Sequence, residues 1–195
     1  MTRHGLRLGM LIGIIYLCFA ASAGAWDKPL WVRQLVTAKL DEAVGVATDA
    51  AGSVYLAGKS SYFIGYDGYG DAWLAKYSTD GRLLWKRQFE PENEWVTAAG
   101  VATDTMGSVY FAGTTGGQGG GLNSGPGDAW VAKYNAAGHI LWKRHLIAES
   151  DDYASAVATD KQGNVYLSVN SFNGSPGNLH WVVKYNSAGH VLWKR

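Results

Sequence analysis

The chain has 195 residues, 17 Lys and Arg against 16 Asp and Glu, a formal charge of +1, and a single cysteine. That is enough for one ordinary domain with its own core. The near-neutral balance excludes the basic surfaces that nucleic acid or an anionic membrane would select, and one thiol excludes an internal disulfide framework.

The first predicted element is a secretory signal over residues 1–25. Arg3 and Arg7 give a positive start, Met10 to Ala20 an apolar run too short for a comfortable membrane span, and Ala21-Ser22-Ala23 or Ala23-Gly24-Ala25 a small-residue cleavage site. Cleavage near Ala25 would remove Cys18 and both arginines, so that 15 basic residues face 16 acidic ones. Leu17, directly before Cys18, is too bulky for lipid attachment there. The expectation is a secreted or periplasmic protein of residues 26–195 with no membrane span after cleavage.

A strand-like segment, "LWVRQLV" from Leu30 to Val36, comes next, and then a sentence written three times. "GVATDAAGSVYLAG" at Gly45–Gly58 returns as "GVATDTMGSVYFAG" at Gly100–Gly113 and as "AVATDKQGNVYLSV" at Ala156–Val169. Asp49, Asp104 and Asp160 stand 55 and 56 residues apart, and Trp85, Trp142 and Trp193 stand 57 and 51 apart. Each unit holds four short segments rich in Val, Tyr, Trp and Leu, in the first copy "VGVATD", "SVYLAG", "DAWLAKY" and "LLWKRQF". Two turns of fixed length separate them, one from Asp49 to Gly52 and one from Ser78 to Gly81, with counterparts in the other copies. An Asp, Asn or Ser opening such a turn bonds its own backbone, and the closing Gly takes a positive φ without strain.

Each unit therefore reads as a four-stranded antiparallel meander, over about 43–90, 98–146 and 154–195. Apolar or small residues occupy both faces of the strands, Val44 and Val46 against Gly45 and Ala47, for example, and Trp73 and Ala75 against Leu74. Sheets buried on both sides, at a period near 50, predict an all-β fold of about three β-propeller blades, partial or open. Trp73, Trp130 and Trp181 are the expected interior residues of the third strands.

The segments "GVATD", "GSVYLAG", "GDAWLAKY" and "LWKRQF" resemble the SBBP repeat of seven-bladed β-propellers in exported bacterial proteins. That resemblance spans roughly residues 30 to 195; it implies a propeller and extracytoplasmic placement, and no shared reaction. A weaker likeness, in "YNAAGHILWKR", is to the quinoprotein repeat, whose enzymes need a cofactor-holding ring that these residues do not provide. Three blades are too few to close a ring. The expectation is further repeats in a longer chain, or self-association driven by an apolar face left open on the third unit.

A catalytic group is needed once, so what recurs three times builds scaffold. Strand direction puts the fixed Gly turns at one end of each unit and the variable segments at the other. Those variable segments collect Asp41, Glu42, Glu90, Glu92, Glu94, Glu149, Asp151 and Asp152, half of the 16 carboxylates, beside Tyr62, Phe63, Tyr66, Tyr69, Trp95, Tyr153 and Phe172. Flat apolar rings stack on sugars or cations, and acids accept their hydrogen bonds. Tyr66, Tyr69, Trp95, Tyr153, Glu92, Glu94, Asp151 and Asp152 are the candidate ligand-binding residues.

Elsewhere the signals are structural. Asp67 and Asp71 in "YDGYGD" lack the alternating acids of a calcium loop. His139 and His190 follow turn glycines and read as solvated, while His145 and His180 have no partner at metal spacing. Lys76, Lys133 and Lys184 recur, and the Lys-Arg pairs at 86–87, 143–144 and 194–195 read as keeping a solvent-facing edge soluble. No nucleophile motif, phosphate-binding loop or dinucleotide fingerprint is present. The expected function is binding or scaffolding of a protein or glycan ligand, without metal or cofactor; a module of a quinoprotein-like or lyase-like propeller enzyme is the alternative.

Overall fold

A computed structural model of the chain describes residues 29–35, 40–61, 70–89, 95–116, 127–146, 151–172 and 179–195. Trp31–Arg195 forms one compact unit and Met1–Leu30 a separate one; the residues read as a signal lie outside the described part. The described residues are all-β, without a helix long and apolar enough to cross a membrane.

Among the described residues, twelve strands form three four-stranded antiparallel sheets in simple meander order. The first sheet comprises β1 (Leu40–Thr48), β2 (Val54–Ser61), β3 (Gly70–Tyr77) and β4 (Leu83–Phe89). The second comprises β5 (Trp95–Thr103), β6 (Val109–Gly116), β7 (Asp128–Tyr134) and β8 (Ile140–Leu146). The third comprises β9 (Asp151–Thr159), β10 (Val165–Phe172), β11 (Leu179–Tyr185) and β12 (Val191–Lys194). The fixed turns form as their sequence dictates. Asp49 Oδ1 accepts the backbone N–H groups of Ala51 and Ser53 at 3.0 and 2.9 Å, and the six closing glycines all lie at φ between 76° and 81°.

The first strand of each sheet begins three residues earlier than the sequence suggests. Asp41 is in register with Ser60 and Asp152 with Ser171, so acids and aromatics read as connections are strand residues. The inner strands run close together: a Cβ on Gly45 would lie 3.3 Å from Gly100 Cα. Thr103 Oγ1 donates to Thr48 O at 2.7 Å, and Thr159 Oγ1 to Thr103 O at 2.6 Å, which ties one inner strand to the next.

Two apolar seams hold the stack. Tyr55, Ala57, Ala72 and Leu74 meet Val109, Phe111, Trp130 and Ala132 across the first, and Tyr110, Ala112, Ala129 and Val131 meet Val165, Leu167, Val169 and Val183 across the second. Burial on this scale is the main source of stability.

The recurring Lys76 and Lys133 belong to these seams, and so do Arg87 and Arg144 of the Lys-Arg pairs that the sequence reads as a solvent-facing edge. Asp49 Oδ2 accepts from the Tyr55 hydroxyl at 3.1 Å and pairs with Lys76 at 3.4 Å; Asp104, Tyr110 and Lys133 repeat the arrangement, as do Asp160, Tyr166 and Lys184. Lys76 Nζ also reaches the next sheet, at Ala136 O 3.3 Å away, and Lys133 Nζ reaches Ser187 O at 3.2 Å. On the outer strand, Trp85 Nε1 donates to Ala136 O at 3.0 Å and Arg87 Nε to Gly138 O at 2.7 Å. Trp142 and Arg144 do the same to Ser187 O and Gly189 O, at 3.0 and 2.8 Å. The Trp85-x-Arg87 and Trp142-x-Arg144 units are thus clasps that grip the second fixed turn of the following sheet.

The segment read as an orphan strand makes no strand pairing among the described residues. It is a clasp: Trp31 Nε1 donates to Thr79 O and Arg33 Nε to Gly81 O, both at 2.9 Å, on the first sheet's own turn. The outer face of the third sheet is mixed in character. Where the second sheet has Ala112, Thr114 and Ala129 it carries Ser168, Asn170 and His180. Ser155 Oγ donates to Ser168 Oγ at 2.9 Å, and His180 Nδ1 lies 2.8 Å from Asn170 Oδ1. Val182, 39% exposed, stands opposite Ser168, so the face combines an open apolar residue with internally hydrogen-bonded polar ones.

Trp73 and Trp130 are fully buried, as expected, but Trp181 is only half-buried. The cause is its cross-strand partner. Gly58 and Gly113 stand opposite Trp73 and Trp130 and leave room for the indole, whereas Val169 stands opposite Trp181. The displaced ring donates its Nε1–H to Ser171 Oγ at 2.8 Å, while the Trp73 and Trp130 Nε1 atoms have no partner among the described residues.

Candidate functional site

Four of the eight candidate residues, Tyr66, Tyr69, Glu92 and Glu94, lie outside the described residues, as does Asp67. The other four are brought together where the second sheet meets the third, at the end away from the fixed turns. Trp95 opens β5 opposite Gly116, and its indole lies flat there because a Cβ on Gly116 would fall 2.2 Å from the ring. Tyr153 stacks on Trp95, centroids 6.4 Å apart and planes 18° from parallel. Phe172, 42% exposed, meets Tyr153 edge-on at 5.6 Å.

The repeat requires none of these rings. The positions equivalent to Trp95 hold Leu40 and Asp151, and those equivalent to Tyr153 hold Glu42 and Thr97. Phe172 was noted in the sequence as a neighbour of the acids; its partnership with Tyr153 follows from the last register pair of the third sheet, Phe172 with Asp151.

The two acids have different roles. Asp151 Oδ1 accepts the Gly127 N–H at 2.8 Å, and Asp152 N–H donates to Gly127 O at 2.6 Å, so the start of β9 is bound to the chain just before β7. Asp152 is fully buried; its Oδ1 accepts from Ser171 Oγ, which accepts in turn from Trp181 Nε1, and its Oδ2 has no partner among the described residues. Ala154 N–H donates to Thr114 Oγ1 at 3.0 Å and completes the bridge. Asp152 is therefore a buried anchor of the seam, and Asp151 is the half-exposed acid beside the rings.

Burial, and then the charge of Asp151, raise the Tyr153 hydroxyl above the ordinary phenol range. It stays protonated at neutral pH and is a hydrogen-bond donor, not a base. A half-open aromatic trio with one carboxylate and one phenolic donor can stack against a ring or pyranose face and hydrogen-bond to its edge. At the fixed-turn end, His139 and His190 are exposed, in line with their reading as solvated residues. Among the described residues no three His, Cys, Asp or Glu side chains stand together in a way that could hold a metal ion. No protein-family model and no curated protein matches the chain.

Proposed function

We propose that residues 26–195 are blades of an exported β-propeller that acts as a binding or scaffold module through the end opposite the fixed turns, and that its ligand is a glycan or a protein. Three observations support the propeller arrangement: the meander order, inner strands that converge on small residues, and seams repeated with the same contacts. The reading of residues 1–25 as an export signal and the likeness to SBBP repeats support the extracytoplasmic placement.

One observation carries the choice of face. Trp95, Tyr153 and Phe172 form a contiguous, partly open aromatic group beside Asp151, at positions where the repeat itself asks for no ring. The test is a glycan array together with pull-down from envelope extracts, comparing the parent chain with Tyr153→Ala and Phe172→Ala. Signal should fall for both variants while circular dichroism shows that they remain folded. An equal fall for His139→Ala, at the opposite end, would refute the assignment of the face.

A further inference from the structure

One contact recurs along the stack and is contained in three residues and a turn. In Trp31-x-Arg33, Trp85-x-Arg87 and Trp142-x-Arg144 the indole Nε1–H and the guanidinium Nε–H donate to two carbonyls, Thr79 and Gly81, Ala136 and Gly138, or Ser187 and Gly189, at 2.7–3.0 Å. The Arg also donates an Nη1–H to the carbonyl of the residue before it, Val32, Lys86 or Lys143, at 2.8–2.9 Å, so the segment itself aims the guanidinium. On the turn, the closing glycine makes the seat: a Cβ on Gly81, Gly138 or Gly189 would lie 2.7–2.9 Å from the indole of Trp31, Trp85 or Trp142.

Two of these clasps sit on β4 and β8, which are paired strands, and cannot leave without opening a sheet. The third shows that strand pairing is not needed. Residues 29–35 form no strand, and Leu30 and Val32 are 100% and 70% exposed. Their grip on the first sheet is the Trp31 ring, near-parallel to Tyr77 at 6.4 Å, with the two hydrogen bonds to Thr79 and Gly81. A segment with few buried contacts and no ladder opens at much lower cost than the fold as a whole. We propose that the turn at residues 78–81 is a peptide-binding site for extended Trp-x-Arg segments of other polypeptides, and that residues 30–35 are its exchangeable occupant.

The chemistry of the site sets what it takes. Two backbone carbonyls accept, so the ligand brings two N–H donors, one on a flat ring that fits over a glycine beside Tyr77 and one on a guanidinium. Lysine, a point charge without the planar fork, does not replace the Arg. Recognition is by side chains alone, so neither partner needs the free sheet edge that strand addition requires. The site lies at the fixed-turn end and is separate from the aromatic face around Tyr153. The tethered segment competes for the turn at an effective concentration on the order of 1 mM, so a peptide that binds at about 0.1 mM appears roughly tenfold weaker on the parent chain than on one whose own segment is disabled.

The test is fluorescence polarisation of a labelled synthetic peptide of residues 29–36, titrated with the full chain, with circular dichroism to confirm folding. The Trp31→Ala/Arg33→Ala variant should bind the peptide saturably, and the parent chain roughly tenfold more weakly. Peptides carrying Trp31→Ala or Arg33→Lys should lose binding. Adding Gly81→Ala to the disabled chain should also abolish it, because the new Cβ would occupy the seat of the indole. If that chain unfolds, the two altered peptides carry the specificity test; if the Trp31→Ala/Arg33→Ala variant unfolds, Arg33→Ala alone, which keeps Trp31 beside Tyr77, is read in its place. A folded, disabled chain that does not bind the peptide overturns the proposal, and so does binding that is equal on the parent chain or indifferent to Trp31 and Arg33 of the peptide.

Discussion

Gly113→Ala isolates one contact on which a sheet depends. Gly113 faces Trp130 across β6 and β7, and an added Cβ would sit 2.0 Å from Thr97 O and 2.6 Å from Trp130 Cζ2. The carbonyl belongs to backbone in a ladder. The ring is fully buried between Phe89 and Phe111, each with its centroid 5.0 Å away, so neither neighbour yields freely. Overpacking of this kind costs about 1–3 kcal/mol. For a chain of this size that is a fall in melting temperature of roughly 2–12 °C. Gly113→Val goes further, because it recreates the third sheet, where Val169 has pushed Trp181 to the half-buried position. Its cost should approach the ~3–5 kcal/mol of deleting a buried Trp. Urea titration followed by tryptophan fluorescence reads both effects, and ring displacement should appear as a red shift in the native emission. A loss below about 0.5 kcal/mol for Gly113→Ala, within the range of surface substitutions, with unchanged emission, would refute the packing argument.

Three further outcomes are expected. Arg87→Ala should cost about 1.5–3 kcal/mol, the range for a hydrogen bond to a charged group, and Arg87→Lys should not restore it, because a point charge cannot keep the Nε–H on Gly138 O while crossing Trp85; equal urea midpoints for parent and Arg87→Lys would contradict this. Trp130→Ala should destabilise by about 3–5 kcal/mol and Trp181→Ala by clearly less, since its ring is already half in water; the reverse order in denaturation would sink the account of Val169. Stability should also fall in acid. Burial pushes the Asp49 carboxyl up, but hydrogen bonds from Ser53 and Tyr55 and the charge of Lys76 outweigh it and hold the group below its ordinary 3.8; Asp160 is held lower still, chiefly by Asn164. A carboxylate depressed in the folded state contributes stability that is fully present above its unfolded pKa and is lost as pH falls from there through its folded pKa. Urea midpoints should therefore be level from neutral pH to about 5 and decline below about 4; a level profile down to pH 3 would count against these pairs.

The sheets were legible because every signal for them was written three times. Turn residues, strand length and the alternation in "DAWLAKY" all agreed, and such agreement across levels is what specifies a fold. Strand starts were misread at Leu40, Trp95 and Asp151, where acids and aromatics look like loop yet pair with the far end of the next strand. Composition flags rings beside acids, but it does not distinguish Asp152, a buried seam anchor, from Asp151, which lies beside the rings. That difference is set by register with Ser171 and by the carbonyl of Gly127, both distant in sequence.

The Lys-Arg pairs teach the converse point. In a single strand "WKR" reads as a soluble edge, because charge on an outer strand usually faces water. Its recurrence with the fixed turn some 50 residues on carried a different message: a donor set repeated at the same interval as a carbonyl set belongs to the contact between units. Trp31-x-Arg33, with no sheet of its own, already said so, because a clasp without strand pairing has value only for what it grips. The departures of the third unit, Val169 for Gly113, Ser168 for Ala112 and His180 for Ala129, look in sequence like erosion of a repeat. In the structure, Val169 resets the buried Trp of that unit, and Ser168 and His180 place polar groups beside the exposed Val182 on its outer face. Where a repeat changes at facing positions at once, the change describes a surface, and the surface is where the copies stop being equivalent.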